Sequence, residues 1–236
     1  MKYEKVFASF VLSLGILFSG YFISKSIFYI KDFERSVKVK GLDERIVKSN
    51  LGIYTFYFSQ SSDNLVDVYK IFSSSQEKII NFLISKGFKK DEIEKTGLEI
   101  TDNRTVYGTD KSQPRPKYSG TSRIIVSSSN VDLVKTISQV TSELIEKGIV
   151  LTSSEVKFLF TDLNSVKTEM LNSSVKNAFE AAKSFATQSG SKLGSIKNAT
   201  QGLFTIVDAN STEEWVTTKS IEKKVRVVVG VDYFLQ

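Results

Sequence analysis

The feature that constrains this chain most is an uncharged run near its start, VFASFVLSLGILFSGYFIS at residues 6–24. A helix of that length extends about 28 Å at about 1.5 Å per residue, which is close to the thickness of the hydrocarbon core of a bilayer. The apolar segment of a cleaved signal peptide is usually shorter, at about 7–15 residues. We therefore predict a transmembrane signal anchor with its juxtamembrane segment at residues 6–30, behind a short tail at residues 1–5.

Two other interpretations of this run stay open, a cleaved signal peptide and a buried core helix. The best cleavage site, Ser24-Lys25-Ser26, has a charge between its two small residues. More lysine and arginine residues follow the run than precede it, so the positive-inside rule does not favour export of the body. A short tail before a long body is nevertheless the usual layout of a signal anchor. We expect a single-pass inner-membrane protein with its globular body in the periplasm or otherwise outside the cytoplasm.

The body of the chain alternates between strand periodicity and helix periodicity. Residues 51–58 predict a central strand, because both of its faces are apolar. Residues 63–87 predict a helix with Asp63 as its N-cap, and residues 97–108 predict the next strand. The helix should bury one apolar stripe, made of Leu65, Tyr69, Phe72, Gln76, Ile79 and Leu83.

The same order of elements recurs in the middle of the chain. A strand at residues 118–129 leads into a helix at residues 130–148 capped near Asn130, and another strand follows at residues 153–162. The sequences LISKGFKKDEIEKTGLEITD and LIEKGIVLTSSEVKFLFTD both run from a helix end through Lys-Gly and a short link to a strand and Thr-Asp. This weak internal duplication predicts two βαβ-like halves.

A long helix at residues 164–190 and closing strands at residues 202–208 and 223–235 complete the pattern. The last strand alternates apolar and other residues, which is typical of half-buried antiparallel strands. Together the elements predict an α+β domain at residues 36–236, with an antiparallel-rich sheet packed by about three helices behind the N-terminal transmembrane helix. The long helix should bury Val166, Met170, Val175, Phe179, Ala182 and Phe185.

The chain has no histidine and no cysteine. It therefore lacks the usual near-neutral acid/base group, every thiol nucleophile, and the ordinary ligands of zinc, copper, haem and iron–sulfur sites. We predict no catalytic residue, no cofactor and no metal site, and expect that the protein is not an enzyme. Its net charge of +6 is spread along the chain rather than concentrated, so we expect no nucleic-acid partner.

The most distinctive polar stretch is YGTDKSQPRPKYSGTSR at residues 107–123, which contains both prolines of the chain. Alternating prolines exclude a helix and favour extended backbone. The stretch is either a basic hairpin that contacts an anionic partner, lipid headgroups or another subunit, or simply a solvated hairpin between the two halves. The candidate interaction surface consists of Arg115, Lys117, Tyr118, Arg123 and the single tryptophan, Trp215.

Three segments resemble the SIMPL-domain family of bacterial envelope proteins when they are taken in order. SVKVKGLDERIVKSNLGIYTF is similar to the opening of that domain, YSGTSRIIVSSSNVDLVKTIS to its middle strand and helix, and SIEKKVRVVVGVDYFL to its closing strand. The resemblance covers residues 36–236. Lys38 and Lys40, within the first segment, fit the exposed face of an edge strand rather than a ligand site.

The resemblance implies an exported or membrane-anchored α+β protein. Family members include ring-like or channel-like homo-oligomers, and some are associated with oxidative or envelope stress. The family has no agreed catalytic motif, so the resemblance supplies no catalytic residues. We therefore expect a membrane-tethered structural or interaction protein that forms homo-oligomers. The alternatives are an envelope binding module for a polyanion or a small apolar ligand and, less favoured, a hydrolase.

Overall fold

Helices and strands alternate along the chain much as its periodicity predicts. The computed structural model describes residues 2–33, 35–105, 115–211 and 218–236, and within the first helix the side chains of residues 3, 7, 10 and 12–25. The helices are α1 (Lys2–Phe33), α2 (Leu65–Ser85), α3 (Val131–Gln139), α4 (Ser142–Glu146) and α5 (Asn164–Gln188). The strands are β1 (Ser36–Lys48), β2 (Leu51–Ser62), β3 (Ile93–Lys95), β4 (Glu99–Asp102), β5 (Tyr118–Ser128), β6 (Leu151–Leu159), β7 (Leu193–Gln201), β8 (Thr205–Asp208) and β9 (Glu222–Leu235).

The described elements confirm an α+β fold with antiparallel pairing, but they form two sheets and five helices. The chain divides into two compact units. Unit 1 consists of Met1–Glu44, Val166–Thr205 and Arg226–Gln236, and unit 2 of Arg45–Ser165 and Ile206–Val225.

Unit 2 is built around β2, the central strand of a sheet with the order β3-β5-β2-β6. β2 is antiparallel to β5 on one side and to β6 on the other, and β4 also pairs with β5. The even-numbered residues of β2 face the helices, and Tyr54, Phe56 and Phe58 are buried there. They form one core with apolar residues of α2, α3 and α4, including Phe72, Ile79, Leu83, Val134, Ile137 and Leu144.

Three predicted features of unit 2 are corrected: the cap of α2, the buried stripe of α2 and the length of the helix after residue 130. Asn64, rather than Asp63, caps α2, because its Oδ1 accepts the Val66 N–H at 2.9 Å. Leu65 and Tyr69 are exposed, so the buried stripe of α2 is carried instead by Val68 and the residues after it. Asn130 caps α3 as predicted, with Oδ1 accepting the Leu133 N–H, but that helix stops at Gln139 and a separate α4 follows.

Strands and helices alternate as the two predicted βαβ-like halves require, but β2, β5 and β6 of unit 2 do not pair as parallel neighbours. β2 pairs antiparallel with both β5 and β6, so the duplicated sequences contribute to a single antiparallel sheet. The connection from β2 to β5 spans residues 63–117 and contains α2, so its length would also have permitted a parallel pairing.

Unit 1 contains α1 and packs α5 against strands in the order β1-β9-β7. The alternation predicted for the last strand is confirmed, because Val227, Val229, Val231 and Tyr233 are all buried. Lys38 and Lys40 of β1 are exposed on either side of buried Val39, also as predicted. The core of this unit contains Val39, Ala178, Ala182, Val229, Val231 and Tyr233.

The stripe predicted for the long helix is wrong in part. Met170 and Ala182 are buried as expected, whereas Val175, Phe179 and Phe185 are exposed. The buried residues recur every fourth position and most of them are small; they are Met170, Ser174, Ala178, Ala182 and Ala186. Small side chains on this face let α5 approach its strands closely.

The N-terminal run forms a helix, α1, as expected. Among the residues that the structure describes, however, no helix combines the length and the apolar character that a membrane crossing requires. The predicted transmembrane span is therefore not supported.

A buried ion pair lies in unit 2 between the end of β8 and the start of β9. Lys223 Nζ donates to Asp208 Oδ1, and the two residues are 2% and 7% exposed. Asp208 Oδ2 also accepts the Lys219 N–H at 3.1 Å. A buried lysine is tolerated here because its charge is met by a carboxylate at hydrogen-bonding distance.

Candidate functional site

The structure places two described residues of the predicted interaction surface, Tyr118 and Arg123, in one strand. Arg115 and Lys117 are exposed just before β5, whereas Trp215 and residues 107–114 of the predicted hairpin lie outside the described residues. Tyr118 and Arg123 are five positions apart in β5, and side chains that far apart in a strand point to opposite faces of the sheet. The structure therefore separates Arg123 from Tyr118.

Tyr118 belongs to a local cluster that the sequence did not reveal. The Arg104 guanidinium lies over the Tyr118 ring, 5.2 Å from its centroid, and Nη2 donates to the Tyr118 hydroxyl at 3.0 Å. Arg104 also forms two side-chain hydrogen bonds with Asp102, Nε to Oδ1 at 2.9 Å and Nη2 to Oδ2 at 2.6 Å. The Arg104 cation thus contacts both the aromatic ring of Tyr118 and the carboxylate of Asp102.

The electrostatics of this cluster follow from the same bonds. Hydrogen bonds from the Arg104 side chain and backbone lower the pKa of the Asp102 carboxyl from 3.8 to about 2. The Asp102 carboxylate in turn raises the pKa of Arg104 above its ordinary value. The cluster is therefore charged and internally compensated at neutral pH, which is typical of a structural contact rather than of an acid/base site.

Backbone contacts also fix the segment that carries Arg115 and Lys117. The Lys117 N–H donates to Asp63 Oδ1 at 2.9 Å, and Asn103 Nδ2 donates to the Pro116 carbonyl at 2.8 Å. Asp63, which the sequence predicted as a helix cap, thus holds the start of β5. These contacts position the backbone of the segment while Arg115 and Lys117 stay exposed.

Arg123 lies on the sheet face opposite the helices of unit 2. It is paired across the ladder with Tyr57 of β2. Together with Thr96, Glu99 and Thr121, these two residues border a shallow hollow of about 320 Å³. The mixed charge and polar lining of this hollow give it no clear ligand preference.

Large apolar side chains are exposed along α1. Their exposed fractions run from 42% at Leu14 to 90% at Tyr3. A helix with apolar side chains on all sides is normally covered by a protein core, by a membrane or by another protein. The exposed large hydrophobic residues described in α1 are Tyr3, Phe7, Phe10, Leu12, Leu14, Ile16, Leu17, Phe18, Tyr21, Phe22 and Ile23.

Three further apolar side chains are exposed on α5, where the sequence predicted core packing. Val175 and Phe179 are four residues apart and share one side of the helix, and Phe185 is 62% exposed. The Phe179 ring packs edge-on against Tyr233 with 6.1 Å between centroids. Phe179 therefore partly covers Tyr233, a buried residue of the core of unit 1 whose phenol pKa is raised by burial.

The described part of the chain contains no group of three or more acidic side chains arranged to hold a metal ion. The expectations about cofactors and catalysis stay predictions.

Comparison with known proteins identifies one family. A family model described as "SIMPL: Protein of unknown function (DUF541)" matches residues 37–233, which is well over half of the chain. The match begins in β1 and ends in β9. No curated protein was found to match the chain.

Proposed function

The chain belongs to the SIMPL family of proteins of unknown function, and on that basis we propose that it is a structural or interaction protein of the bacterial envelope that assembles with further copies of itself. The observation that carries the proposal is the exposure of apolar side chains around α1. Leaving such a helix in water is unfavourable by about 25 cal/mol for each Å² of apolar surface. α1 therefore favours apolar surroundings, which lipid and a second α1 can both supply.

Attachment to a membrane outside the cytoplasm is the first part of the proposal. Lipid would cover the apolar side chains of α1, and Tyr21 with Lys25 nearby provides the aromatic and basic groups that favour a headgroup region. This attachment requires only the exposed apolar side chains of α1 and does not depend on a membrane-spanning geometry.

Self-association through α1 is the second part. Ser13, Gly20 and Ser24 occupy positions i, i+7 and i+11, so they share one side of the helix. Small residues on one side allow two helices in lipid to approach closely and gain packing contacts. A β-carbon added at Gly20 would meet no described atom within 4 Å, so this side of α1 is open to another copy.

The test compares two glycines of the same helix. Gly20→Leu places a bulky side chain on the small-residue side, whereas Gly15→Leu places the same side chain at another open position of α1. We expect the full chain to associate in nonionic detergent, the Gly20 variant to dissociate at concentrations at least tenfold higher than wild type, and the Gly15 variant to match wild type. Sedimentation equilibrium measures this directly.

Flotation with phospholipid vesicles tests attachment separately. We expect the full chain to float, and a variant carrying Leu12→Lys and Leu17→Lys to stay at the bottom of the gradient. Leu65→Lys with Ile71→Lys is the matched control, because both residues are exposed on α2. A monomeric wild type, or equal flotation of all three proteins, would contradict the corresponding part of the proposal.

A further inference from the structure

An open cavity of about 580 Å³ lies in unit 2, at a place that the interaction surfaces above do not use. It is bordered by the second half of α3, by β6, by the turn after β8 and by the residues that lead into β9. Its volume is within the range of small-molecule sites, about 300–1,000 Å³. A ligand of small-molecule size fits the cavity better than a folded partner does.

The cavity has an apolar wall. Phe158 and Val156 of β6 contribute to this wall together with Ile221, which precedes β9. Phe158 is 3% exposed and belongs to the core of unit 2, where Val156 and Ile221 pack against the same core. The wall therefore continues the hydrophobic core and offers a surface on which an apolar or aromatic group gains free energy by leaving water.

Among the lining residues that the structure describes, the charged groups are predominantly positive. Lys135 of α3 and Lys219 are exposed at the cavity, while this described part of the lining contains one carboxylate, Asp208. That carboxylate is ion-paired with buried Lys223. A concave site with an excess of cations raises the local concentration of anions.

The walls are held in place by hydrogen bonds that converge near Asp208. Its Oδ2 accepts the Lys219 N–H at 3.1 Å, and its carbonyl accepts the Ser211 N–H at 3.0 Å. The Phe158 N–H donates to the carbonyl of Thr218, the residue before Lys219. The cavity is thus preformed, which limits the conformational entropy lost when a ligand binds.

We propose that this cavity binds a small amphipathic anion, with an apolar or aromatic body against Val156 and Ile221 and an anionic group held by Lys135 and Lys219. Phosphate monoesters and carboxylic acids with an aromatic or short alkyl body belong to this class. The site consists only of residues in unit 2, whereas α1 belongs to unit 1. The proposal therefore does not rest on self-association or on membrane attachment.

Phenyl phosphate is a suitable probe, and titration calorimetry on the full chain in nonionic detergent is the measurement. We expect saturable binding to wild type and at least tenfold weaker binding to Lys135→Ala and to Lys219→Ala. Lys70→Ala removes the same charge from an exposed position of α2 outside the cavity and should bind within twofold of wild type. Inorganic phosphate, which lacks the apolar body, and benzyl alcohol, which lacks the charge, should each bind at least tenfold more weakly than phenyl phosphate.

Several results would overturn the proposal. Absence of saturable binding to wild type would do so, as would unchanged affinity in both cavity variants. An equal loss in Lys70→Ala would indicate general attraction to a basic protein rather than a site. Inorganic phosphate that binds as tightly as phenyl phosphate would show that the apolar wall is not used. Because all three substituted lysines are exposed, circular dichroism should show the same fold in every variant.

Discussion

Gly41 of β1 and Ala178 of α5 are packed so closely that a β-carbon added to the glycine would lie 2.9 Å from the β-carbon of the alanine. The same added atom would lie 1.8 Å from the carbonyl oxygen of Ser174. Contacts this short with backbone atoms cannot be relieved by rotating a side chain. The distance between β1 and α5 is thus set by the absence of a side chain at Gly41.

Gly41→Ala should destabilise the protein by about 3 kcal/mol, the upper part of the usual range for overpacked sites. Urea unfolding followed by circular dichroism measures the change. Gly97→Ala is the control, since an added β-carbon there would meet no described atom within 4 Å, and its effect should stay within about 0.5 kcal/mol. Equal unfolding midpoints for the two variants would contradict the close packing of β1 and α5.

Lys223→Met should lower the free energy of unfolding by about 3–5 kcal/mol, because it removes the cation that faces a buried carboxylate. Lys48→Met removes one member of a solvent-exposed pair, Lys48 with Asp132, whose side chains are 59% and 66% exposed. That change should cost no more than about 1 kcal/mol. Chemical unfolding of both variants in the same buffer makes the comparison, and similar losses would show that Lys223 is not buried in solution.

The Asp102 carboxyl should titrate at a pH of about 2, below its ordinary value of 3.8, because Arg104 stabilises the charged form. Since the folded-state pKa is the lower one, this contribution to stability is complete above pH 3.8 and is lost as the pH falls through about 2. Arg104→Met should return the titration midpoint toward 3.8. Carbon-detected NMR of the carboxyl resonance measures both midpoints, and an unchanged midpoint in the variant would exclude Arg104 as the cause.

Asn64→Ala should destabilise α2 by about 1 kcal/mol, since it removes the side-chain oxygen that accepts the Val66 N–H. Lys70→Ala, at an exposed position of the same helix, should stay within about 0.5 kcal/mol of wild type. Thermal unfolding distinguishes the two. If Asn64→Ala matched the control, the cap would contribute nothing measurable in solution.

Strands with strict alternation could be predicted from the sequence because their own residues carry the signal. Val225, Val227 and Val229 are each buried and separated by one position, so a period of two identifies both the strand and its buried face. The cap at Asn130 was predictable for the same local reason. Both signals depend only on residues close together in the chain.

The buried face of α5 could not be predicted in that way. Choosing the largest apolar residues selects Val175, Phe179 and Phe185, but the helix lies too close to β1 for such side chains. Close packing instead selects Ser174 and Ala178, and the reason for it is Gly41, more than a hundred positions earlier in the chain. Hydropathy within the helix contains no information about that glycine.

The candidate sites could not be predicted either, because each combines residues that are far apart in the sequence and that meet only in the folded chain. Arg104 was overlooked because its partners, Asp102 and Tyr118, come together only when β4 pairs with β5. The cavity gathers Lys135, Phe158 and Lys219 from three separate parts of the chain. Nothing in the spacing of these residues indicates that they face the same space.

The order of strands in unit 1 has a consequence for biosynthesis. β9 lies between β1 and β7 in the sheet but follows both of them in the chain. During translation β1 and β7 are therefore synthesised before the strand that pairs with both of them. Until β9 is available, the edges of β1 and β7 that it will cover expose unpaired backbone N–H and C=O groups. A nascent chain in that state is prone to aggregate, so a holding chaperone should matter most to this protein in the interval before β9 emerges.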